Sequence, residues 1–237
     1  MAWRTRKDGR AARRPAQRRS AAKPALVPRR VVVTAGPTRE AIDPVRYLSN
    51  ESSGRMGFAI AEAAARAGHR VTLIAGPVAL PTPKGVRRVA VVTALEMLRA
   101  TLRAFRESDA LFMAAAVSDW RPARRLSGKW REKDKGSPAA NLPLVRNPDI
   151  LATCGHDRSR PGKLVVGFAL ETSGGIPRAK RKLETKGADF IVLNDERALN
   201  SPRASALILG GDGTVRRLTD RTKAEIAGVL IGLLGRP

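Results

Sequence analysis

Buried strands and amphipathic helices alternate along the chain from about residue 30 onward. The strands are short, continuous apolar runs at residues 31–33 and 71–75, as is typical of central strands in a parallel sheet. Residues 54–67 place apolar side chains at helical spacing, and Gly68 is expected to end that helix. These two strands and the helix between them predict one βαβ unit with a right-handed crossover.

The same alternation defines the elements that follow. Helices are predicted over residues 93–105 with Thr93 as N-cap, 148–152, 176–186 and 222–234. Strands are predicted over residues 110–117, 164–169 and 189–193, and a terminal hairpin over 206–209 and 214–218. The fold class expected is therefore α/β: a Rossmann-like, doubly wound, mostly parallel sheet with helices on both faces and a C-terminal β-hairpin.

Two connections are much longer than the few residues that usually join such elements. Residues 36–53 and 118–146 each follow a predicted strand, and long loops in compact domains are usually functional or disordered. Both begin at the carboxyl ends of strands, where doubly wound folds bind their ligands. A functional site is therefore expected there.

Length and composition narrow the class of protein. The 237 residues suit one good-sized domain, and no apolar run approaches the roughly 18 residues that span a bilayer. Residues 1–28 lack the apolar core of a secretory signal, and the single cysteine, Cys154, excludes an intrachain disulfide. A cytoplasmic protein without a membrane segment is the expectation.

The formal net charge of +24 is unevenly distributed. Residues 1–30 contain eleven basic residues and one acid, Asp8, which leaves +14 for the remaining chain. Residues 1–29 are rich in Arg, Ala and Pro without an apolar face, so they predict a basic disordered tail. A solubilising or lineage-biased extension is the favoured interpretation of this tail, and weak contact with polyanions is the alternative. Residues 30–237 form the predicted domain, and its remaining positive charge fits anionic ligands.

A candidate phosphate loop lies in the first strand–loop–helix unit. Gly36 follows the first strand, and Ser52, Ser53, Gly54 and Gly57 stand where the helix begins. Glycines let backbone N–H groups approach a phosphate, and a helix N-terminus adds partial positive charge. The same residues also suit an ordinary helix start with a serine as cap.

Three further groups of residues suggest chemistry. Asn50, just before the loop, carries both a donor and an acceptor that suit a reacting carboxylate. Small residues at 114–116, followed by Asp119, let a flat base approach the backbone, although a buried strand with a turn Asp explains them equally well. The cations Lys129, Arg131, Lys133 and Lys135 suit a flap over a polyphosphate, and Lys182 and Lys186 share one helix face; both sets also fit solvated surfaces.

Taken in order, these segments resemble the phosphopantothenoylcysteine synthetase (phosphopantothenate–cysteine ligase) family of coenzyme A biosynthesis. The residues that carry the resemblance are Thr34-Ala-Gly-Pro-Thr-Arg-Glu40, Asp43-Pro44-Val45-Arg46, Ser49-Asn50-x-Ser52-Ser53-Gly54-x-Met56-Gly57, Ala114-Ala-Ala-Val-Ser-Asp119, Asn147-Pro148-Asp149-Ile150 and Gly167-Phe168-Ala169-x-Glu171-Thr172. Each motif alone is weak, but six in register over about residues 30–234 leave little room for coincidence.

The resemblance implies a ligation in two steps that uses CTP as co-substrate and Mg²⁺ as cofactor. The carboxylate of 4′-phosphopantothenate attacks the α-phosphate of CTP, giving an acyl-cytidylate and pyrophosphate. The amine of L-cysteine then displaces CMP. Activating a carboxylate in this way depends on positioning and on cations rather than on a protein nucleophile, and the sequence displays no such nucleophile.

The resemblance also assigns roles by position. Asn50 matches the asparagine that handles the acyl-cytidylate, and Lys129 matches the flap lysine that stabilises the α-phosphoryl transition state. Gly36, Ser52, Ser53, Gly54 and Gly57 match the phosphate loop. The positions that match nucleotide-binding residues are Met113, Ala114, Ala115, Asp119, Pro148, Asp149, Ile150, Leu151, Phe168, Lys182 and Lys186. The resemblance identifies no metal ligands.

The chain departs from the family pattern in the flap and in its organisation. The usual Lys-x-Lys-Lys reads Lys129-Trp130-Arg131-Glu132 here, which places an acid where the family has a cation. Bacterial members are often fused behind a flavin-dependent decarboxylase. The first 30 residues are far too short for one, so a separate decarboxylase chain is expected. Members of this fold usually form homodimers.

Other function classes fit the residues less well. A nicotinamide-dependent oxidoreductase predicts G-x-G-x-x-G and an acid after the second strand, where this chain has Ala75-Gly76-Pro77. A basic nucleic-acid-binding protein would explain the tail, but a recognisable motif and stacking aromatics are lacking. Because of Glu132, a third interpretation also remains open, in which the protein binds the nucleotide without turnover.

Overall fold

The computed structural model describes residues 27–131, 140–157, 162–171, 175–195 and 201–235. Its elements are β1 (Arg30–Ala35), β2 (Arg39–Ala41), β3 (Tyr47–Ser49), α1 (Arg55–Arg66), β4 (Arg70–Ala75), β5 (Val86–Ala90), α2 (Ala94–Arg106), β6 (Ala110–Met113), β7 (Trp120–Pro122), β8 (Leu144–Arg146), α3 (Ile150–His156), β9 (Leu164–Glu171), α4 (Gly175–Lys186), β10 (Phe190–Asp195), β11 (Arg203–Gly210), β12 (Val215–Thr222) and α5 (Lys223–Ile231). The predicted tail lies outside this range apart from residues 27–29. Within the described residues, no helix is long and apolar enough to cross a membrane.

An eight-stranded sheet forms the centre of the fold, in the order β12-β11-β10-β9-β6-β1-β4-β5. The strands from β10 to β5 pair in parallel, while β11 pairs antiparallel with both β10 and β12. This arrangement confirms the predicted mostly parallel sheet with a C-terminal hairpin. Because β1 lies inside the sheet, between β4 and β6, its carboxyl end opens between those of its two neighbours.

Helices cover both faces of the sheet, as predicted. On one face α1 and α5 pack together, with Ile60 and Leu230 completely buried against the strands. On the other face α2, α3 and α4 surround a second core that contains Phe105, Cys154 and Ala179. Burial raises the pKa of the Cys154 thiol to about 12, which supports a packing role over nucleophilic catalysis.

In the central sheet, the structure differs from the prediction in the end of β6 and in the presence of β5. The predicted strand 110–117 ends at Met113, because the next residues bond to the β1 extension: the Ala115 N–H donates to Thr34 Oγ1 (3.2 Å) and the Ala116 N–H to the Gly36 carbonyl (2.9 Å). The edge strand β5 was not predicted. It carries arginines between its apolar residues, and an edge strand needs less burial than a central one.

The two long connections contain small antiparallel sheets instead of plain loops. Residues 36–53 include the pair β2–β3, and residues 118–146 include the pair β7–β8. Strand β2 packs against β7, so the two connections meet beyond the carboxyl edge of the central sheet. They form the outer wall of the region where the site is expected.

The helix starts differ in how they are capped. Thr93 caps α2 in a capping box with Glu96, as predicted. The expectation of a serine cap on α1 is wrong: its N-cap is Gly54, in the left-handed region with φ 74°, and no side chain caps it. The Gly54 N–H instead donates a hydrogen bond to Ser52 Oγ at 3.4 Å. The first turn of α1 therefore keeps backbone N–H groups that no side-chain cap occupies.

Candidate active site

Two buried threonines on the β1 strand and its extension shape the site. Thr34 Oγ1 accepts the Ala115 N–H, and Thr38 Oγ1 accepts the Ser118 N–H at 3.0 Å. Both threonines are fully buried, and the Ser49 hydroxyl fastens the β2–β3 hairpin to the Thr38 carbonyl at 2.8 Å. These bonds draw residues 114–118 away from β6, which exposes their backbone at the edge of the sheet.

The first of two clefts lies where β6, β9, α3 and α4 meet, and its volume is about 430 Å³. Ten of the eleven residues predicted to bind nucleotide line this one cleft. They are Met113, Ala115, Asp119, Pro148, Asp149, Ile150, Leu151, Phe168, Lys182 and Lys186. The eleventh, Ala114, lines the neighbouring cleft. Residues far apart in the sequence therefore surround a single space.

The lysine pair of α4 faces this cleft and not open solvent. Lys182 Nζ donates to the Phe168 carbonyl at 2.7 Å, and Lys186 Nζ forms a 2.5 Å ion pair with Asp149 Oδ2. Burial raises the pKa of the Asp149 carboxyl, but the hydrogen bonds from Lys186 and from the Ala152 N–H outweigh it and hold that pKa below its usual value. Asp149 thus stays ionised while it orients Lys186 and caps α3.

The second cleft, of about 340 Å³, contains the glycine loop. Ser52, Ser53 and Gly54 line it together with Asn194 and Lys223. It adjoins the first cleft, since both are lined by Ala115, Val117, Asp119, Phe168 and Lys182. A long ligand that occupies the first cleft can therefore extend into the second, toward the start of α1.

Two glycines of the predicted phosphate loop lie outside both clefts. A Cβ on Gly57 would stand 2.5 Å from the Ala35 Cβ and 2.8 Å from the Thr34 carbonyl, so its lack of a side chain allows α1 to approach β1 closely. Gly36 has a φ of 76°, and a Cβ there would lie 3.0 Å from Val78 Cγ1. Their positions indicate that they shape the loop and its packing on β1.

Asn50 and Lys129, the predicted catalytic residues, are not among the residues that line the clefts. Asn50 Nδ2 donates to the carbonyl of Ala116, a residue of the second cleft, at 3.1 Å. Lys129 is exposed and lines neither cleft. The flap residues Glu132, Lys133 and Lys135 lie outside the described part of the chain.

The start of the flap is anchored to the β2–β3 hairpin by a buried carboxylate. Asp43 accepts hydrogen bonds from the N–H groups of Val45, Arg46 and Trp130, and Arg46 pairs with it at 2.6 Å. Arg46 also donates to the Trp130 carbonyl at 2.6 Å. Lys129 therefore stands directly beside a fixed point of the backbone.

Replacing Asp43 by asparagine should reduce stability in a pH-dependent manner. The hydrogen bond from the Trp130 N–H lowers the pKa of Asp43 most. Burial opposes this effect, but the bonds from Val45 and Arg46 lower the pKa further, so that it lies well below its ordinary value of 3.8. The stabilisation is therefore complete above that ordinary value and is lost as the pH falls toward the folded-state pKa. In urea titrations, the difference between wild type and Asp43→Asn should be largest near neutral pH and narrow below pH ~4. A difference that stays constant with pH would contradict this account.

The structure adds residues to the site that the sequence reasoning did not select. Asn147 lines the first cleft, donates to the Ser118 carbonyl at 2.8 Å and accepts from Arg121 at 3.0 Å. Its place in the motif Asn147-Pro148-Asp149-Ile150 could have identified it as a residue of the site. Trp120 and Arg146 pair across β7–β8, with the guanidinium 5.3 Å from the ring centroid, and both line that cleft. Asn194 and Lys223, which line the second cleft, were not predicted either. They lie outside the motifs, and nothing in the sequence around them points to the site.

Known proteins match this chain over most of its length. Residues 26–235 match the family model described as "DNA/pantothenate metabolism flavoprotein C-terminal domain". The coenzyme A biosynthesis bifunctional protein CoaBC of Haemophilus influenzae is 43% identical over 205 residues, which cover 85% of this chain and 50% of that protein. CoaBC of Escherichia coli K12 is 46% identical over 166 residues, or 70% and 40% of the two chains.

A solved structure supports the same relationship. The crystal structure of the C-terminal domain of CoaBC superposes with a TM-score of 0.75 at 37% identity, covering 90% of this chain and 96% of that domain. The chain spans about half the length of the bifunctional relatives it matches.

Proposed function

Because the chain belongs to the family of the DNA/pantothenate metabolism flavoprotein C-terminal domain, we propose that it is the ligase of coenzyme A biosynthesis that joins 4′-phosphopantothenate to cysteine. The observation that carries the proposal is the pair of adjoining clefts. The first cleft is lined by the residues expected to bind the nucleotide, and the second contains the glycine loop. Asp119, Phe168 and Lys182 line both. The CoaBC relatives, named for coenzyme A biosynthesis, support the same conclusion.

The reaction we propose uses CTP. A carboxylate oxygen of phosphopantothenate attacks the α-phosphorus, and the bond to the bridging oxygen breaks to release pyrophosphate. The cysteine amine then attacks the acyl carbon of the cytidylate, loses a proton and displaces CMP. The protein contributes orientation and positive charge. Its backbone at residues 114–118 binds the base, and Lys182, which lines both clefts, and Lys186, in the first cleft, hold the phosphates.

Mg²⁺ is the cofactor proposed for the triphosphate, and the polar groups of the clefts fit it. This ion usually keeps several waters and binds through one or two protein oxygens plus substrate phosphates. Within the described residues, no cluster of three or more metal-ligating side chains forms. The clefts offer the exposed carboxylate of Asp119 and the Oδ1 of Asn194, which has no hydrogen-bond partner among the described residues. When bound, Mg²⁺ supplies neutralising charge on the nucleotide.

The surroundings of the site suggest its partners. Val45, in the turn between β2 and β3, and Tyr47, Leu144 and Val145, on the two small sheets, expose between 37% and 65% of their surface. We propose that this region contributes to a homodimer. We further propose that a decarboxylase consumes the phosphopantothenoylcysteine.

The proposal is tested by incubating the purified protein with phosphopantothenate, cysteine, Mg²⁺ and CTP. Pyrophosphate, CMP and phosphopantothenoylcysteine should form in equal amounts, and parallel reactions with ATP establish the nucleotide choice. Reactions lacking cysteine should stop after pyrophosphate release. If neither nucleotide monophosphate nor ligated product forms with any nucleotide, the chain is not this ligase.

Exchanging Asn50 for aspartate should separate the two steps. The added carboxylate repels the acyl-cytidylate but leaves the CTP cleft unchanged, so pyrophosphate should still form while CMP release slows by about tenfold or more. Rapid-quench measurements of both products check this result. Asn141→Asp, in the exposed flap connection, is the matched control and should behave as wild type. Equal rates of CMP release in wild type and Asn50→Asp would remove Asn50 from the site.

A further inference from the structure

A groove lies at the amino ends of the strands, on the opposite edge of the central sheet from the two clefts. Its volume is about 720 Å³, and it runs between α2 and the strands β4 and β5. Arg30 and Arg70 line it from the first positions of β1 and β4, and Arg103 lines it from the last turn of α2. No residue of this groove lines either cleft. The groove is therefore separate from the site proposed for the ligation.

The register of the sheet places three arginines of the groove on one face. Arg30 is level with Arg70, and Arg87 is level with Thr72, two residues after Arg70. Side chains at such positions point to the same side of a sheet, and neighbouring strands lie only about 4.8 Å apart. The three arginines therefore share the face that α2 covers, where Arg103 adds a fourth. Like charges on such neighbouring side chains repel one another.

Acidic side chains compensate this positive charge only in part. Glu107 is the only carboxylate among the described residues that line the groove, and it pairs with Arg30 at 3.4 Å. The other three arginines, Arg70, Arg87 and Arg103, form no ion pair within the part of the chain that the structure describes. An anion in the groove would reduce the repulsion among them.

The negative end of the α2 dipole is already occupied by other groups of the protein. Lys163, which is buried outside the groove, donates from Nζ to the carbonyls of Phe105 and Arg106 at 3.0 Å and 3.3 Å. The Ser108 hydroxyl donates to the Ala104 carbonyl at 2.7 Å. The last carbonyls of the helix thus have partners apart from the arginines of the groove.

A buried histidine is a second, independent indication of a ligand. His69 lines the groove and exposes only 5% of its surface. Burial lowers the pKa of His69 and the charge of Arg29 lowers it further, so the ring is neutral; because Nδ1 accepts the Arg29 N–H at 3.1 Å, the proton is on Nε2. Nε2 has no hydrogen-bond partner among the described residues. Buried donors are nearly always satisfied, and an anion in the groove would supply the acceptor, directly or through a bridging water.

We propose that the groove binds a small phosphorylated anion that carries at least two negative charges. Guanidinium groups match the oxygens of phosphate in a bidentate manner. A nucleic-acid strand fits less well, because the residues that line the groove include no Phe, Trp or Tyr on which bases could stack. The proposal does not depend on the ligase function, so a failure of the ligation assay would leave it standing.

The nitrogen chemical shifts of His69 test the proposal directly, because the chain contains only two histidines. Inorganic pyrophosphate is titrated into the full-length protein at neutral pH and about 0.15 M salt, where interactions between distant surface charges are screened. The Nε2 resonance of His69 should shift and reach saturation. The resonances of His156, which lies outside the groove, should not change.

A pair of double variants with equal net charge shows whether the arginines hold the anion. Replacing Arg70 and Arg103 by glutamine should raise the dissociation constant measured at His69 by at least about tenfold, because two charge-assisted contacts are lost. Replacing Arg99 and Arg216 by glutamine removes the same charge from exposed positions outside the groove. This control should bind pyrophosphate as the wild type does.

The other outcomes overturn the proposal. No shift at His69, equal shifts at both histidines, or equal losses in the two double variants would show that the groove has no specific anion site. A shift with a single-stranded oligonucleotide but not with pyrophosphate would identify a nucleic-acid surface instead. If the Arg70/Arg103 variant does not fold, phenylglyoxal labelling of the wild type replaces it: pyrophosphate should protect Arg70 and Arg103 but not Arg99, and uniform protection would refute the site.

Discussion

Replacing Lys129 by glutamine is expected to slow pyrophosphate formation by about 100- to 1,000-fold, the usual cost of removing one group that stabilises a developing charge. The lysine is exposed, lies in the connection between β7 and β8, and precedes Trp130, whose N–H donates to the Asp43 carboxylate. We propose that its long side chain reaches the α-phosphate from this position. Glutamine keeps most of the length but loses the charge.

The measurement is single-turnover pyrophosphate release at saturating CTP and phosphopantothenate. Arg125→Gln is the matched control, because this cation is exposed in the same connection and lines neither cleft. CTP affinity should change little in either variant, since the charge of Lys129 is used mainly in the transition state. A rate for Lys129→Gln within a few-fold of wild type would show that another cation performs this task.

Gly57→Ala is expected to destabilise the fold by about 1–3 kcal/mol, the usual effect of forcing an extra methyl into a packed core. The added Cβ would meet Ala35 Cβ at 2.5 Å and the Thr34 carbonyl at 2.8 Å, both on the central strand β1. In a helix, alanine is normally favoured over glycine by about 1 kcal/mol, so the clash must exceed that gain. Urea unfolding monitored by circular dichroism measures the change.

Gly228→Ala provides the matched control on the helix that packs beside α1. A Cβ at Gly228 meets nothing within 4 Å, so this variant should be neutral or more stable by up to about 1 kcal/mol. If Gly57→Ala were as stable as wild type but bound CTP weakly, Gly57 would be a ligand-contacting glycine, as the sequence first suggested.

Periodicity predicted the elements whose burial is nearly continuous. The central strands β1 and β4 and the helix α2 were found because their apolar residues are contiguous or regularly spaced. The strands β2, β3, β7 and β8 contain three residues each and were not found. Strands this short depend on tertiary contacts that the local pattern does not encode.

The sequence predicted most of the residues that line the first cleft, but not the contacts that these residues make with one another. The helical spacing of Lys182 and Lys186 placed them on one face, but the pairing of Lys186 with Asp149 depends on how α3 and α4 pack. Lys223 reaches the second cleft only because α5 returns to pack on α1. Such contacts between distant segments cannot be deduced from spacing in a single sequence.

The central claim is that a carboxylate becomes an acyl-cytidylate in the adjoining clefts, and isotope transfer tests it most directly. Phosphopantothenate is labelled with heavy oxygen in its carboxylate, then converted with CTP and cysteine, and the nucleotide product is examined by mass spectrometry. The account predicts one labelled oxygen in each CMP, because the attacking oxygen stays on the α-phosphorus when cysteine displaces the nucleotide. Unlabelled CMP, or label in inorganic phosphate, would contradict it.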